Sequence, residues 1–298
     1  MDQLVHVLCP LCEGENRARI LLHARDYLFS QREFRIVRCT QCGLAHTSPR
    51  VADADLPGYY FRDYGPYQRR ERRLGAFLRR WARGAGSPLG RLLKAHGVRS
   101  VLDAGCGAGA LLRQLRDEGF TVAGVDLDER CVTRIQREGI ECYQGDVDAV
   151  VQRLEPGSYD AVLFRHVLEH LYHPVTTLRR LHGVLKGGGI LYITVPDFGS
   201  WEARIFGRYW RGLDLPRHVC HFDVPTLSRL LQKTGFDLLQ VRPEPFVSSP
   251  LESLGFAAFR GPMPGALYRL LYYPLKPLAH LLAALHLSGA MTAVARRR

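Results

Sequence analysis

The sequence has no internal repeat of solenoid period, and glycine and proline, at 29 and 17 of 298 residues, are not in excess. Solenoid, collagen-like and low-complexity architectures are therefore excluded. The opening residues, MDQLVHVLCPLCEG, lack both a basic start and a long apolar stretch. No signal peptide is expected, and a cytoplasmic location follows. Acids are scarce: 29 Asp and Glu stand against 41 Lys and Arg, a formal charge of +12. That balance favours anionic partners (nucleic acid, a membrane surface, phosphorylated small molecules) without choosing among them. The excess is concentrated in residues 66–96, where nine Lys and Arg face the single acid Glu71. Formal charge is missing altogether from Pro277 to Ala295, 19 positions. That is close to the ~20 needed to span a bilayer. His280, His286, Ser288, Gly289 and a strand-like end at 290–295 argue against a span. The apolar, proline-interrupted segment 246–288 reads instead as one or two helices that cap a pocket or touch a membrane.

Hydrophobic residues make up 46% of the chain, enough for one large core with an appended module. Residues 1–48 carry two cysteine pairs and short β-like runs. Residues 49–98 read as a linker rich in Tyr and Phe, followed by basic helices broken at Gly84–Pro88. From 99 onward, apolar strands alternate with helical spacings of about ten residues. The glycine run 187–189 is expected to stop one of those helices. The pattern predicts an α/β fold: a Rossmann-like, doubly wound parallel sheet, with the 246–288 helical insert before its last strand.

Cys9-Pro-Leu-Cys12 and Cys39-Thr-Gln-Cys42-Gly43 form two CxxC units 26 residues apart. Each unit supplies two thiolates from one tight turn, which suits tetrahedral zinc in a ribbon. With all four positions filled by cysteine, none is left for substrate, so a zinc ion here is structural. Cys106, Cys131, Cys142 and Cys220 read as buried spectators.

Val101-Leu-Asp103-Ala-Gly105-Cys-Gly107-Ala-Gly109 ends a strand in a glycine loop. Glycines let backbone approach a ligand, and the following helix start attracts negative groups. Glycine spacing alone also fits a dinucleotide site. The acids discriminate: Asp103 would repel the pyrophosphate of NAD but can help hold a cationic amino-acid ligand. Asp126 ends the second strand, and Asp146 follows the third. Acids at successive strand ends fit the ligand edge of such a sheet, although each alone can be a helix N-cap.

These stretches, VLDAGCGAG, VAGVD, GDVD and YDAVLFRHVLEH, resemble the motifs of class I S-adenosylmethionine-dependent methyltransferases over about 99–245. The run from CPLC through RCTQCGLAHTSPR and PGYYFRDYG is similar to the subgroup with an N-terminal zinc ribbon, which includes sugar C-methyltransferases. The resemblance implies S-adenosylmethionine as cofactor, with Asp103, Gly105, Gly107 and Gly109 at its methionine part. Asp126 and Leu127 fall at its ribose, and Asp146 and Val147 at its adenine. The chain lacks the extra C-terminal domain of the sugar enzymes.

Methyl transfer often needs a base for the acceptor's proton. His166 lies just beyond the fourth strand, at the ligand edge. His218 falls where the sugar enzymes carry their proposed base, with Arg217 replacing the acid that precedes it there. Glu169 and His170 read as a buried pair holding their turn. Alternatively, His166, Glu169, His170 and His218 or His221 hold a divalent metal, as related RNA 2′-O-methyltransferases do with Glu/His clusters. Tyr59, Tyr60 and Tyr64 can close over the site, and Trp210, Arg211 and Asp214 can meet polar substrate groups. The expected acceptor is a small molecule: a sugar, nucleotide sugar or other biosynthetic intermediate, phosphorylated or lipid-linked. RNA bound by the ribbon and basic helices is the alternative partner, and a non-catalytic scaffold is a third reading. No stable protein partner is inferred.

Overall fold

The computed structural model describes residues 3–14, 17–60, 86–245, 248–285 and 287–298. Tyr64, His286 and the basic stretch 66–85 lie outside the described residues. Strands β1 (Leu4–Val5), β2 (Ala18–Arg25), β3 (Glu33–Cys39), β4 (Ala45–Thr47) and β5 (Arg50–Val51) come first, then helix α1 (Pro88–Ala95). The α/β unit follows as β6 (Ser100–Ala104), α2 (Ala110–Asp117), β7 (Thr121–Asp126), α3 (Glu129–Arg137), β8 (Glu141–Gln144), α4 (Val147–Val151), β9 (Tyr159–Arg165), α5 (Pro174–Val184) and β10 (Leu185–Pro196). It continues through α6 (Trp201–Phe206), β11 (Cys220–His221), α7 (Val224–Lys233), β12 (Phe236–Glu244), α8 (Ser248–Phe259), α9 (Gly265–Ala284) and β13 (Ala290–Arg297).

Seven strands form one sheet in the order β12-β13-β10-β9-β6-β7-β8. The run from β10 to β8 is parallel, whereas β13 is antiparallel to both β10 and β12. This is the Rossmann-like sheet that the strand–helix alternation predicts, with α8 and α9 inserted before the last strand. Its central strands are apolar throughout because helices cover both faces. Val101, Leu102, Val162, Leu163, Phe164 and Ile193 are fully buried. Each such side chain stabilises the fold by ~1.5–3 kcal/mol. Helix α2 turns Leu112 and Leu115 inward, three residues apart, and α3 does the same with Val132 and Ile135. Chain order reverses between β6 and β9, so a crevice opens at their carboxyl ends.

One helix ends earlier than the glycines suggest. Helix α5 stops at Val184, and 185–189 form the irregular start of β10. Register with β9 shifts between Leu185 and Ile190. A Cβ on Gly189 would come within 2.9 Å of the Lys186 carbonyl oxygen and 3.1 Å of that of Asp160. The glycines thus admit a kinked strand entry beside β9, which competes successfully with another helical turn.

The N-terminal strands do not stand alone. Strands β2, β3 and β4 are completed by β11, which arrives from beyond β10, in the order β11-β4-β3-β2. Cys220 pairs with His46, and His221 with Ala45. Thr47 reinforces the seam: its N–H donates to the Val219 carbonyl and its hydroxyl donates to the His218 carbonyl, both at 3.0 Å. The same hydroxyl lies 3.1 Å from His221 Nε2. Helix α7, opened by a capping box between Asp223 and Thr226, packs Leu227, Leu230 and Leu231 into the core shared with Cys9, Leu11, Cys39 and Leu44.

Replacing Thr47 by Val keeps the volume and removes the hydroxyl. Leaving the buried His218 carbonyl without that donor is expected to cost ~1–3 kcal/mol, read as a lower urea midpoint at unchanged slope. An unaltered midpoint would show that the seam carries no stability.

Candidate active site and thiolate centre

The four N-terminal cysteines meet at one point. Cys9 Sγ is 3.5 Å from Cys42 Sγ, and Cys12 Sγ is 3.7 Å from Cys39 Sγ. All four sulfurs lie within 4.8 Å of one another, and none is in a disulfide. A tetrahedron with zinc–sulfur bonds of about 2.3 Å has edges of about 3.8 Å, so the donor set fits zinc. Each CxxC closes the same way. The Glu13 N–H donates to the Cys9 carbonyl at 2.9 Å, and the Gly43 N–H to the Cys39 carbonyl at 3.0 Å. The residue after each second cysteine is left-handed, Glu13 at φ 60° and Gly43 at φ 83°. Only Gly43 is conspicuous in the sequence. The Cys9–Cys42 thiol contact draws Cys42 below its ordinary range and, with burial, pushes Cys9 up. Helix α7 holds both turns from outside. Arg229 donates to the Cys42 carbonyl and Lys233 to the Leu11 carbonyl, each at 2.6 Å.

At the sheet's carboxyl edge the glycine loop takes the shape that its composition permits. Gly105, Gly107 and Gly109 have φ of 83°, 53° and 75°. A Cβ on Gly105 would sit 2.4 Å from Val167 Cγ2, and one on Gly109 2.7 Å from Ile135 Cγ1. Helix α2 starts at Gly109 without a side-chain cap, leaving its first N–H groups to a ligand. Asp103 and Asp126 are both buried here. Burial pushes the Asp103 carboxyl up to about 6, with Asp126 adding to the rise and Arg165 opposing it. Burial also raises Asp126, which accepts from the Gly107 N–H at 2.6 Å and the Asp128 N–H at 3.0 Å. Leu127 is exposed beside it and Val147 is buried. Asp146 caps α4, accepting from the Asp148 N–H at 2.8 Å. Two buried carboxylates, a helix start without a side-chain cap and flanking apolar side chains have the chemistry to fit an adenosyl amino acid.

Beside the loop, two imidazoles converge on one carboxylate. His166, at φ 56°, donates its backbone N–H to the Thr194 carbonyl, and its side chain stays partly exposed. Its Nδ1 lies 3.3 Å from Glu169 Oε1. His218, which is buried, has Nδ1 2.8 Å from the Gly212 carbonyl and Nε2 3.5 Å from Asp214 Oδ2 and 3.9 Å from Glu169 Oε1. Burial alone would raise Glu169, 1% exposed, but the imidazoles of His166, His218 and His170 hold it below its ordinary value. Burial lowers His218, against Asp214 and Glu169, and pushes His170 down to about 4. His170 Nδ1 meets the Arg217 carbonyl at 3.1 Å and the Tyr60 hydroxyl at 3.0 Å. Glu169, His170 and His218 offer ligand atoms within 4.8 Å of one another, whereas His221 is turned to Thr47.

Several candidates have other partners. Tyr59 is buried in the core. Trp210 donates to Glu202 at 3.1 Å. Asp214 pairs with Arg211 at 2.9 Å and Arg217 at 2.5 Å, and Arg211 also reaches Glu252. Burial would raise Asp214, but Arg211 and Arg217 hold it far below its ordinary range. Arg217, where the resemblance expects an acid, is thus the buried counter-ion of a neighbouring acid. No spacing signal marked this network, or Thr47, in the sequence.

A profile of the methyltransferase-domain family, type 23, matches residues 67–241. The chain belongs to the class I S-adenosylmethionine-dependent methyltransferases. Ubiquinone biosynthesis O-methyltransferase from Xanthomonas campestris pv. campestris is 35% identical over 130 residues, 41% of this chain and 54% of that protein. Its counterpart from Nitrosospira multiformis is 28% identical over 155 residues, 48% and 64% of the two. This methyltransferase therefore spans about half the length of the curated relatives it matches. In fold it is similar to Burkholderia thailandensis 1,6-didemethyltoxoflavin-N1-methyltransferase, solved with bound 1,6-didemethyltoxoflavin and S-adenosylhomocysteine. That likeness has a TM-score of 0.50 and 20% identity, over 87% of this chain and 96% of that one.

Metal analysis of the purified methyltransferase is expected to return one zinc per chain. Replacing Cys39 by Ser is expected to lose it and lower the melting temperature by about 10 °C or more, since structural zinc contributes folding energy directly. A metal-free wild-type protein with unchanged melting would remove the zinc assignment.

Proposed function

We propose that this methyltransferase transfers a methyl group from S-adenosylmethionine to a small-molecule acceptor, a sugar, nucleotide sugar or other phosphorylated or lipid-linked biosynthetic intermediate. The observation that carries the reading is the juxtaposition of the glycine loop and its two buried carboxylates with partly exposed His166. Val167, the next residue, abuts Gly105. Asp103 and the loop glycines hold the amino-acid part of the cofactor, Asp126 with Leu127 the ribose, and Asp146 with Val147 the adenine. The cofactor supplies an electrophilic methyl on a sulfonium sulfur. What remains for the chain is to hold the acceptor and take its proton. His166 faces the acceptor, and His218 is the second base, its Nδ1 proton committed to the Gly212 carbonyl. Glu169, between them, orients both imidazoles and offsets the charge either gains. The four-cysteine zinc site takes no part in the chemistry and holds the β4–β11 seam in place. Against an RNA acceptor, strand β4 is paired with β11 and the cysteine turns are held by α7.

Calorimetry with S-adenosylmethionine, S-adenosylhomocysteine and NADH tests the cofactor. Micromolar binding of the first two and none of NADH is expected. Asp126→Ala should weaken adenosyl binding by ~1–3 kcal/mol, the loss of charge-assisted hydrogen bonds. Absence of adenosyl binding to zinc-loaded protein would favour a scaffold instead. Once an acceptor is found, His218→Ala and His166→Ala should each lower kcat by ~10²–10⁴ while adenosyl affinity stays within about twofold. Turnover unchanged in either variant removes that histidine from the mechanism.

A further inference from the structure

Helix α9 is anchored on one side only. Ala279 and Ala283 face the protein and are its buried residues. On the opposite side, at 100° per residue, Leu270, Tyr273, Pro277, Leu281 and Leu285 fall within an arc of about 120°. All five are exposed, Leu270 at 69% and Tyr273 at 74%. An apolar stripe turned to solvent from Leu270 to the C-cap Leu285 is unlike the scattered exposed leucines of an ordinary surface. One edge of the stripe is basic: Arg269, Lys276 and His280 project next to each other along it and are exposed. No acidic residue occurs in 253–298. Among the described residues, no helix is long and apolar enough to cross a membrane.

We propose that α9 is an interfacial helix that docks the methyltransferase on an anionic lipid bilayer, its apolar stripe in the acyl boundary and its basic edge among the headgroup phosphates. The charge decides between occupants. A second copy of this chain would bring the same basic edge and no acid from this segment to pair with it, whereas an anionic headgroup layer complements it. Such a helix lies in the bilayer plane. The docking reading goes beyond methyl transfer and does not need it.

The test is co-sedimentation of the full chain with vesicles of phosphatidylcholine alone, or of equal parts phosphatidylcholine and phosphatidylglycerol. Binding to the mixed vesicles is expected, with weak binding to phosphatidylcholine alone. Leu270→Ser with Leu281→Ser should weaken it by about tenfold for each leucine. Arg269→Gln with Lys276→Gln should abolish the preference for anionic lipid, and added salt should do the same to the wild type. All four positions are exposed, so the variants should melt like wild type by circular dichroism. Failure of the wild type to bind either vesicle, or wild-type binding by the leucine variant, overturns the proposal. So does a solution dimer that the leucine substitutions dissociate, because the stripe then belongs to a second copy. Vesicle binding is measured without turnover, so a failure here is separable from a failure of the catalytic reading.

Discussion

The hydrogen-bonded seam between β4 and β11 is the constraint on which the rest of the site depends. Thr47 uses its N–H and its hydroxyl to fix the backbone of Val219 and His218. A histidine on an unsupported loop would sample many positions. Here its carbonyl, two residues before the strand that joins the N-terminal sheet, is tied to Thr47. The four-cysteine segment is therefore built into the wall of the candidate site and is not an attached finger. Its cysteines are the rivet of that wall: they close β3 onto the first turn, and β3 carries β4.

Charge is placed by the same economy of burial. Deep in this region, Glu169, Asp214, Arg217 and His218 are buried together, with Arg211, His170 and partly exposed His166 beside them. Unpaired, each charged group would be costly there. Arg211 and Arg217 neutralise Asp214, and the imidazoles surround Glu169. The two acids differ in their partners: Asp214 is held by two guanidinium groups with His218 Nε2 at 3.5 Å, whereas Glu169 has imidazoles around it.

Much of this was legible in the sequence. Alternating strands and helices, the glycine loop and the acids at strand ends give the seven-stranded sheet and place Asp103, Asp126 and His166 at one edge. Paired CxxC units give the cysteine cluster. Such features are local, because periodicity and turn chemistry act within about ten residues. The seam, the Arg217–Asp214 pair and the left-handed Glu13 were not legible. Two-residue β11 has no periodicity to detect, and its partner lies more than 170 residues away. Arg217 looks like a misplaced base until Asp214 folds back onto it. The glycines 187–189 misled for a related reason: glycine ends helices, but it also permits bent strands, and neighbouring β9 decided the matter.

The two cysteine turns are gripped by α7, through Arg229 and Lys233. Lys233 and Leu11 are 222 positions apart. The first cysteine turn therefore finds its donor only after more than two hundred further residues have been made. Until then the ribbon has its thiols but neither its clamp nor its fourth strand, and slow, long-range closure of this kind leaves those thiols exposed in the interval.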